Sequence, residues 1–238
     1  NHYLSNLVSI IYNGLCFNYS EEGKKWFEFG VKEIIKEMKA QVYDDGVDYE
    51  GSISYHRLVT ELFLSTTILC TKNGTIFPDW YMLRLEKMLE FVMYYSKPDN
   101  TAPQIGDNDD GRLHILADYG NWDRLDHRYL LSAGAVLFDR VDFKNAVEEF
   151  HEEAWWLLGE EGLDKFNNLP VQEYCITSKA FDQGGFYIMR QDKHYMIIDC
   201  VSADHNAPTG HKHNSRLSFE LFAFDKSFIV DPGAFIYT

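Results

Sequence analysis

Leu4, Leu7, Val8, Ile11 and Leu15 recur at helical spacing over residues 4–17, which predicts one apolar face on an amphipathic helix. Ser20 followed by Glu21 and Glu22 opens a second helix with an acidic first turn, where carboxylates complement the positive end of the helix dipole. That helix is expected to run to about Val42, with Trp26, Phe29, Ile34, Ile35 and Met38 as its apolar stripe, and to break at Asp44-Asp45-Gly46. A third helix, about residues 55–71, is apolar nearly all round after His56 and Arg57, a pattern that predicts burial on most faces. Asn73-Gly74 marks a turn, and Pro78-Asp79 starts a fourth helix over residues 80–95 through Leu83, Met88, Phe91 and Val92. Residues 97–112 read as a polar loop, and two further helices are expected at about 126–138 and 142–158. The picture is one of paired antiparallel helices joined by short loops, with the conspicuous polar residues at the loops.

The period changes near Asn167-Asn168-Leu169-Pro170. From Tyr174 onward apolar and polar residues alternate: residues 185–190, a turn at Asp192-Lys193, then residues 194–200. Strands at 216–224 and 228–230, with a turn at Asp225-Lys226, and a last one at 234–238 complete a series of hairpins. The fold class expected is therefore α+β and multidomain, with a helical portion over residues 1–170 and the first part of an antiparallel sheet domain over 171–238.

Composition narrows the function classes. The chain has 238 residues, 45% hydrophobic and 16% aromatic, enough to bury a substantial core. A formal charge of −15 argues against nucleic acid and anionic membrane surfaces as partners. No apolar run approaches the roughly 18 residues that a membrane span needs. Cys16, Cys70, Cys175 and Cys200 are far apart without CxxC spacing, so buried free thiols are the expectation. The chain opens on Asn1-His2 without an initiator Met and ends in a strand-like stretch, which reads as a segment of a longer polypeptide.

Four places carry candidate chemistry. His211 and His213 stand two residues apart, so on an extended segment both rings project from one face, and Asp231 follows after a turn. That set fits a metal site or an acid/base site, or more plainly a polar loop with a turn-capping Asp. Tyr55, beside His56 and Arg57 at a helix start, offers a phenol whose acidity a neighbouring cation would raise, though a surface Tyr-His pair is the plainer reading. Asn1-His2 offers a carboxamide and an imidazole. Gly106-Asp107-Asn108-Asp109-Asp110-Gly111 lacks the spacing and closing glutamate of a calcium loop, leaving a solvated loop or a substrate-contacting one. His114, His127, His151, His194 and His205 show no partner pattern, and neither a G-x-S-x-G elbow nor a phosphate-binding glycine loop is present.

In order and spacing, Asn1-His2-Tyr3-Leu4, Ser54-Tyr55-His56-Arg57-Leu58, the Gly106–Gly111 loop, Gly210-His211-Lys212-His213, Leu217-Ser218-Phe219-Glu220-Leu221 and Val230-Asp231-Pro232-Gly233 together resemble the heparinase II/III-like polysaccharide lyases. The resemblance covers almost the whole chain and implies an incomplete (α/α) toroid followed by an antiparallel β-sandwich. It implies β-elimination on a uronic-acid polysaccharide of heparin, heparan or related type, in a periplasmic or secreted setting. Asn1 would neutralise the uronate carboxylate, Tyr55 would be base and acid, and His211 would face them across the cleft. His2, His56, Arg57 and Asn108 would contact substrate, with Lys212, Arg216 and Arg112 adding positive charge. His213 and Asp231 would hold a structural zinc, its third ligand beyond residue 238, and no organic cofactor is implied. Ser215 stands where relatives often carry Asp. The alternatives are a non-catalytic carbohydrate-binding toroid and, from the His/Asp set alone, a zinc-dependent hydrolase.

Overall fold

The computed structural model describes residues 1–116, 122–147, 149–172, 175–201 and 211–233. The expected strand at 234–238, Tyr174, His205 and Gly210 lie outside them. Seven helices precede five strands among the described residues: α1 His2–Cys16, α2 Glu21–Gln41, α3 Ile53–Lys72, α4 Asp79–Tyr95, α5 Tyr129–Phe138, α6 Val141–Val147, α7 Glu152–Asn168, then β1 Lys179–Phe181, β2 Phe186–Gln191, β3 His194–Asp199, β4 Phe219–Ala223 and β5 Lys226–Ile229. The strands form one antiparallel sheet in the order β1-β2-β3-β4-β5.

The helices pack as successive pairs. α1 lies on α2, where the side chain of Ile11 fills the space a Cβ on Gly30 would need. Ser20 caps α2 by accepting a hydrogen bond from Gly23 N–H at 2.9 Å, satisfying one of the unpaired donors of the first turn. This close approach decides which side of α2 is buried: Gly23, Gly30, Ile34 and Met38 face inward, whereas Trp26 and Phe29 are exposed. The expected stripe is thus half wrong, and Leu83 of α4 is likewise exposed. α3 is buried on most faces, as its composition predicts. The single helix expected over residues 142–158 is two, α6 and α7, and α7 is itself kinked at Gly159, whose φ is +70°. Of the cysteines only Cys70 is buried; all four are free thiols.

The sheet sits on the C-terminal half of α4. Phe181 and Phe186 pack on Phe91 with ring centroids 4.7 and 5.3 Å away. Tyr195 Oη donates to Tyr95 O at 2.8 Å, and the Arg190 guanidinium reaches the carbonyls of Tyr94 and Ser96. Glu220 points inward from β4 and pairs with buried Lys97 at 3.2 Å, while accepting the backbone N–H of Gln104 at 2.9 Å and of Asp231 at 3.3 Å. These contacts fasten the loop after α4 to the sheet. The β2–β3 turn falls at Asp192-Lys193 as expected. The β4–β5 turn is Phe224-Asp225, one residue earlier than expected, with both residues at positive φ, the backbone that matches the twist of paired strands.

Candidate functional site

The site forms where three chain segments meet: the N-terminus of α3, the loop at residues 106–112, and residues 211–213. Ser52 caps α3 through its Oγ, which accepts Tyr55 N–H at 3.2 Å and donates to Asp107 O at 2.7 Å. Ser54 Oγ donates to Asp109 O at 2.5 Å and accepts Asp109 N–H at 3.1 Å. The first turn of α3 therefore holds the loop through two serines. Gly106 makes the approach possible: its φ is +79°, and a Cβ there would stand 2.8 Å from Ser52 Cβ and 2.9 Å from His211 O.

Tyr55 and His211 are stacked, with ring centroids 3.6 Å apart and planes 9° from parallel. The phenol donates to Asp109 Oδ2 at 3.1 Å, and Tyr55 is only 5% exposed. His211 Nδ1 lies 3.2 Å from Asp107 Oδ2, and His213 Nε2 lies 3.0 Å from Asp107 Oδ1. One carboxylate thus receives both imidazoles. Asn108, between the two aspartates, is exposed.

The other expected residues fall elsewhere. The Asn1 carboxamide donates to both Glu50 oxygens, at 3.4 and 3.0 Å, so an anion already occupies it. His2 is exposed at the first position of α1. His56 does not reach a substrate surface: it is 1% exposed, takes the Asp48 N–H on Nδ1 at 3.2 Å and reaches Met88 O from Nε2 at 3.1 Å, against the ring of Phe91. Burial lowers its pKa to about 4, so it is a neutral core histidine. Arg57, also 1% exposed, gives its guanidinium to Asp109 O at 3.0 Å and to Glu61 at 3.6 Å. Arg112 pairs with Glu153 at 3.0 Å and lies over Trp122 and Tyr129. Both arginines are therefore structural, and the expected positive lining reduces to Lys212 and exposed Arg216. Desolvation lowers the Lys212 pKa.

Asp231 Oδ1 accepts Gly233 N–H at 2.9 Å, closing its own turn. Among the described residues no group of three or more His, Cys, Asp or Glu side chains is placed to hold an ion. Among the described residues, His213 and Asp231 engage different partners. Ser215 Oγ donates to Asp199 Oδ2 at 2.8 Å, and Val201 N–H donates to Oδ1 at 2.9 Å. This buried carboxylate, its pKa raised by burial, gives the loop support from below. Asp107, Asp109 and Glu50 were missed as individual site residues. The Asp-rich loop was the signal for the first two, but spacing alone does not say which aspartate turns inward.

Residues 1–129, more than half of the chain, match the model described as Heparinase II/III N-terminus, and residues 176–238 match Heparinase II/III-like, C-terminal. The chain belongs to the heparinase II/III family. It is 25% identical to a heparin-sulfate lyase of Pedobacter heparinus and 26% identical to one of Bacteroides stercoris, each match covering 100% of the chain and 32% of the relative. The chain thus spans about a third of the length of these curated relatives. Among solved structures it superposes on a heparinase III with methylated lysines at a TM-score of 0.72 and 22% identity, and on a heparan sulfate lyase of Pedobacter heparinus at 0.71 and 23%; each covers 100% of this chain and 33% of the other. Those likenesses establish the heparinase fold, an incomplete (α/α) toroid followed by an antiparallel sheet. Among the described residues, no helix is long and apolar enough to cross a membrane.

Proposed function

We propose that the chain supplies one wall of the active site of a polysaccharide lyase that cleaves a uronic-acid polysaccharide by β-elimination. The observation that carries this reading is the Tyr55–His211 stack at 3.6 Å, with the phenol oxygen held at its edge by Asp109. A phenol and an imidazole in contact give two groups able to move or share a proton at one point.

In this reading the deprotonated Tyr55 oxygen removes the proton from C5 of the uronate. The C5–H electron pair becomes the C4–C5 double bond as the C4–O4 bond breaks, and O4 leaves with the proton returned by Tyr55. Charge that builds on the uronate carboxylate needs donors, as an oxyanion does. Asn1 would be one of them after exchanging Glu50 for substrate, and the His211 ring would be a second. Tyr55 would have to give up Asp109 on binding. Heparin- or heparan-type chains are the substrates that the relatives' names point to, and alginate-like uronates share the same reacting group.

The test is incubation of a panel of uronate polysaccharides with the longest polypeptide that carries this chain. Growth of the ultraviolet band of the conjugated unsaturated uronate is expected. New reducing ends without that band would mean hydrolysis, and binding with neither would mean a carbohydrate-binding module; either result sinks the lyase reading.

A further inference from the structure

We propose that Glu50 keeps the place of the substrate carboxylate on Asn1, an autoinhibitory contact that the uronate must displace before the carboxamide can serve. The inference rests on the lyase reading for its effect on turnover; the contact itself does not depend on that reading.

An asparagine at a helix N-cap ordinarily accepts a backbone N–H of its own first turn through its side-chain oxygen. Asn1 is the N-cap of α1 and makes no such bond. Its carboxamide nitrogen donates instead to Glu50 Oε2 at 3.0 Å and to Oε1 at 3.4 Å, and its α-nitrogen lies 3.3 Å from Oε1. A carboxylate accepts and does not donate, so the edge of the amide that faces it is the NH2. Both side chains are 8% exposed. A uronate and a glutamate present the same group, so Glu50 meets Asn1 as a substrate carboxylate would.

Glu50 is carried on a strap, residues 42–51, that is tied to the helices on either side of it. Tyr49 N–H donates to Gln41 O at 2.8 Å at the end of α2, and Asp48 N–H donates to His56 Nδ1 at 3.2 Å on α3. Glu50 N–H itself donates to Asp48 Oδ2 at 3.3 Å. The buried His56 ring thus anchors the strap, and with the backbone held, release of Asn1 falls to the side chains. The Tyr49 phenol also bonds to Glu50; burial first, and then the Glu50 charge, push this phenol up to about 12, so it stays a donor. Glu50 keeps that partner when the carboxamide turns to substrate, which spares a buried carboxylate from standing alone. Both arrangements are then hydrogen-bonded, and substrate chooses between them through its own affinity for Asn1.

The experiment compares Glu50→Gln with the wild type in the longest polypeptide that carries this chain, on the polysaccharide that the wild type cleaves. Glutamine keeps the shape and an acceptor but removes the charge. KM should therefore fall about fivefold to tenfold, the difference between a charge-assisted and a neutral hydrogen bond. In an Asn1→Ala background the same substitution should leave KM unchanged, because no carboxamide remains to compete for. Where Asn1→Ala turns over too slowly, Kd for the same polysaccharide replaces KM. An equal fall in both backgrounds would mean that Glu50 merely repels substrate. A fall in kcat/KM on Glu50→Gln would mean that it supports the site. Either result overturns the proposal. A second measurement needs no turnover. In ¹⁵N-asparagine-labelled chain, the Asn1 side-chain NH2 is identified by its loss in Asn1→Ser. Its exchange with solvent should be about tenfold faster in Glu50→Ala than in the wild type; equal rates overturn the proposal. If Glu50→Ala does not fold, Glu50→Gln carries this measurement, with a smaller rise. Faster exchange in a variant of a wild type that cleaves nothing keeps the hold of Glu50 on Asn1 and removes the lyase reading.

Discussion

The two segments that meet at the Tyr55–His211 stack obey opposite rules. On α3, three consecutive residues, Tyr55, His56 and Arg57, go to three different environments: the junction with His211, the core beside Phe91, and the ion-pair network with Glu61. On the facing segment, His211 and His213 go to a single carboxylate. The difference follows from backbone geometry. Helical neighbours diverge by about 100° around the axis, whereas residues 211–213 lie outside any helix, beginning in a turn at His211. A cluster of chemically attractive residues on a helix therefore contributes one member to a site, and the others serve the interior. Outside the helix, His211 and His213 arrive together at Asp107.

The sharpest way to break this comparison is to remove the single member that α3 contributes. Tyr55→Phe keeps the ring that stacks on His211 and deletes only the oxygen. Its kcat/KM on a cleaved polysaccharide should drop about 10²- to 10⁴-fold, the usual worth of a positioned acid/base group. Full activity in the variant would mean that the base is another residue.

Next in size is the fastening of the loop after α4 to the sheet. Lys97→Met leaves the Glu220 carboxylate buried without its ammonium partner, which costs about 3–5 kcal/mol where burial is complete. Urea unfolding of the chain measures it. A loss under about 1 kcal/mol would show that the Gln104 and Asp231 amides satisfy Glu220 alone.

His56 tests the claim that Tyr55's neighbour on the helix is a core residue. Its folded pKa of about 4 lies below the unfolded value of about 6.5. The unfolded chain therefore binds the proton first on acidification. The stability that comes from keeping His56 neutral is intact above about pH 6.5 and is lost as the pH falls from there toward 4. The loss between pH 7 and pH 5 should be about 2 kcal/mol. His56→Gln, which cannot titrate, should flatten the stability–pH curve by that amount in urea titrations at the two pH values. An unchanged slope would mean that His56 is wet and open to ligand.

How much of this was legible in the sequence depended on periodicity. The helices α1 to α5 and the hairpin β2–β3 follow from spacing and turn residues alone. Tyr55 and His211 were candidates from the sequence, but their roles came from resemblance, since a Tyr-His pair and a short His-x-His segment carry little information by themselves. His56 and Arg57, which the resemblance implied as substrate contacts, are each 1% exposed, because consecutive helical residues point in different directions. Asp107 and Asp109 stayed hidden because their importance lies in contacts 52 to 106 residues away in the chain, and no local pattern encodes those. The break between α6 and α7 was missed because the residues on both sides keep a helical period, while the Ser132 Oγ contacts with Glu149 O and His151 N–H come from a distant part of the chain.

The smallest expected effect probes the same limit of periodicity on α2. Phe29 belongs to the predicted apolar stripe, yet it is 48% exposed, while Ile34 in the same stripe is fully buried. Phe29→Ser should change stability by no more than about 0.5 kcal/mol, as surface substitutions usually do, whereas Ile34→Ala should cost about 2–5 kcal/mol through lost burial and the cavity left behind. The contrast isolates what Gly23 and Gly30 decide. By letting α1 approach one side of α2, they choose which apolar residues become core, and hydrophobic spacing alone does not make that choice. Equal losses for the two variants in denaturant melts would show that Phe29 is covered in solution and that the predicted stripe is buried whole.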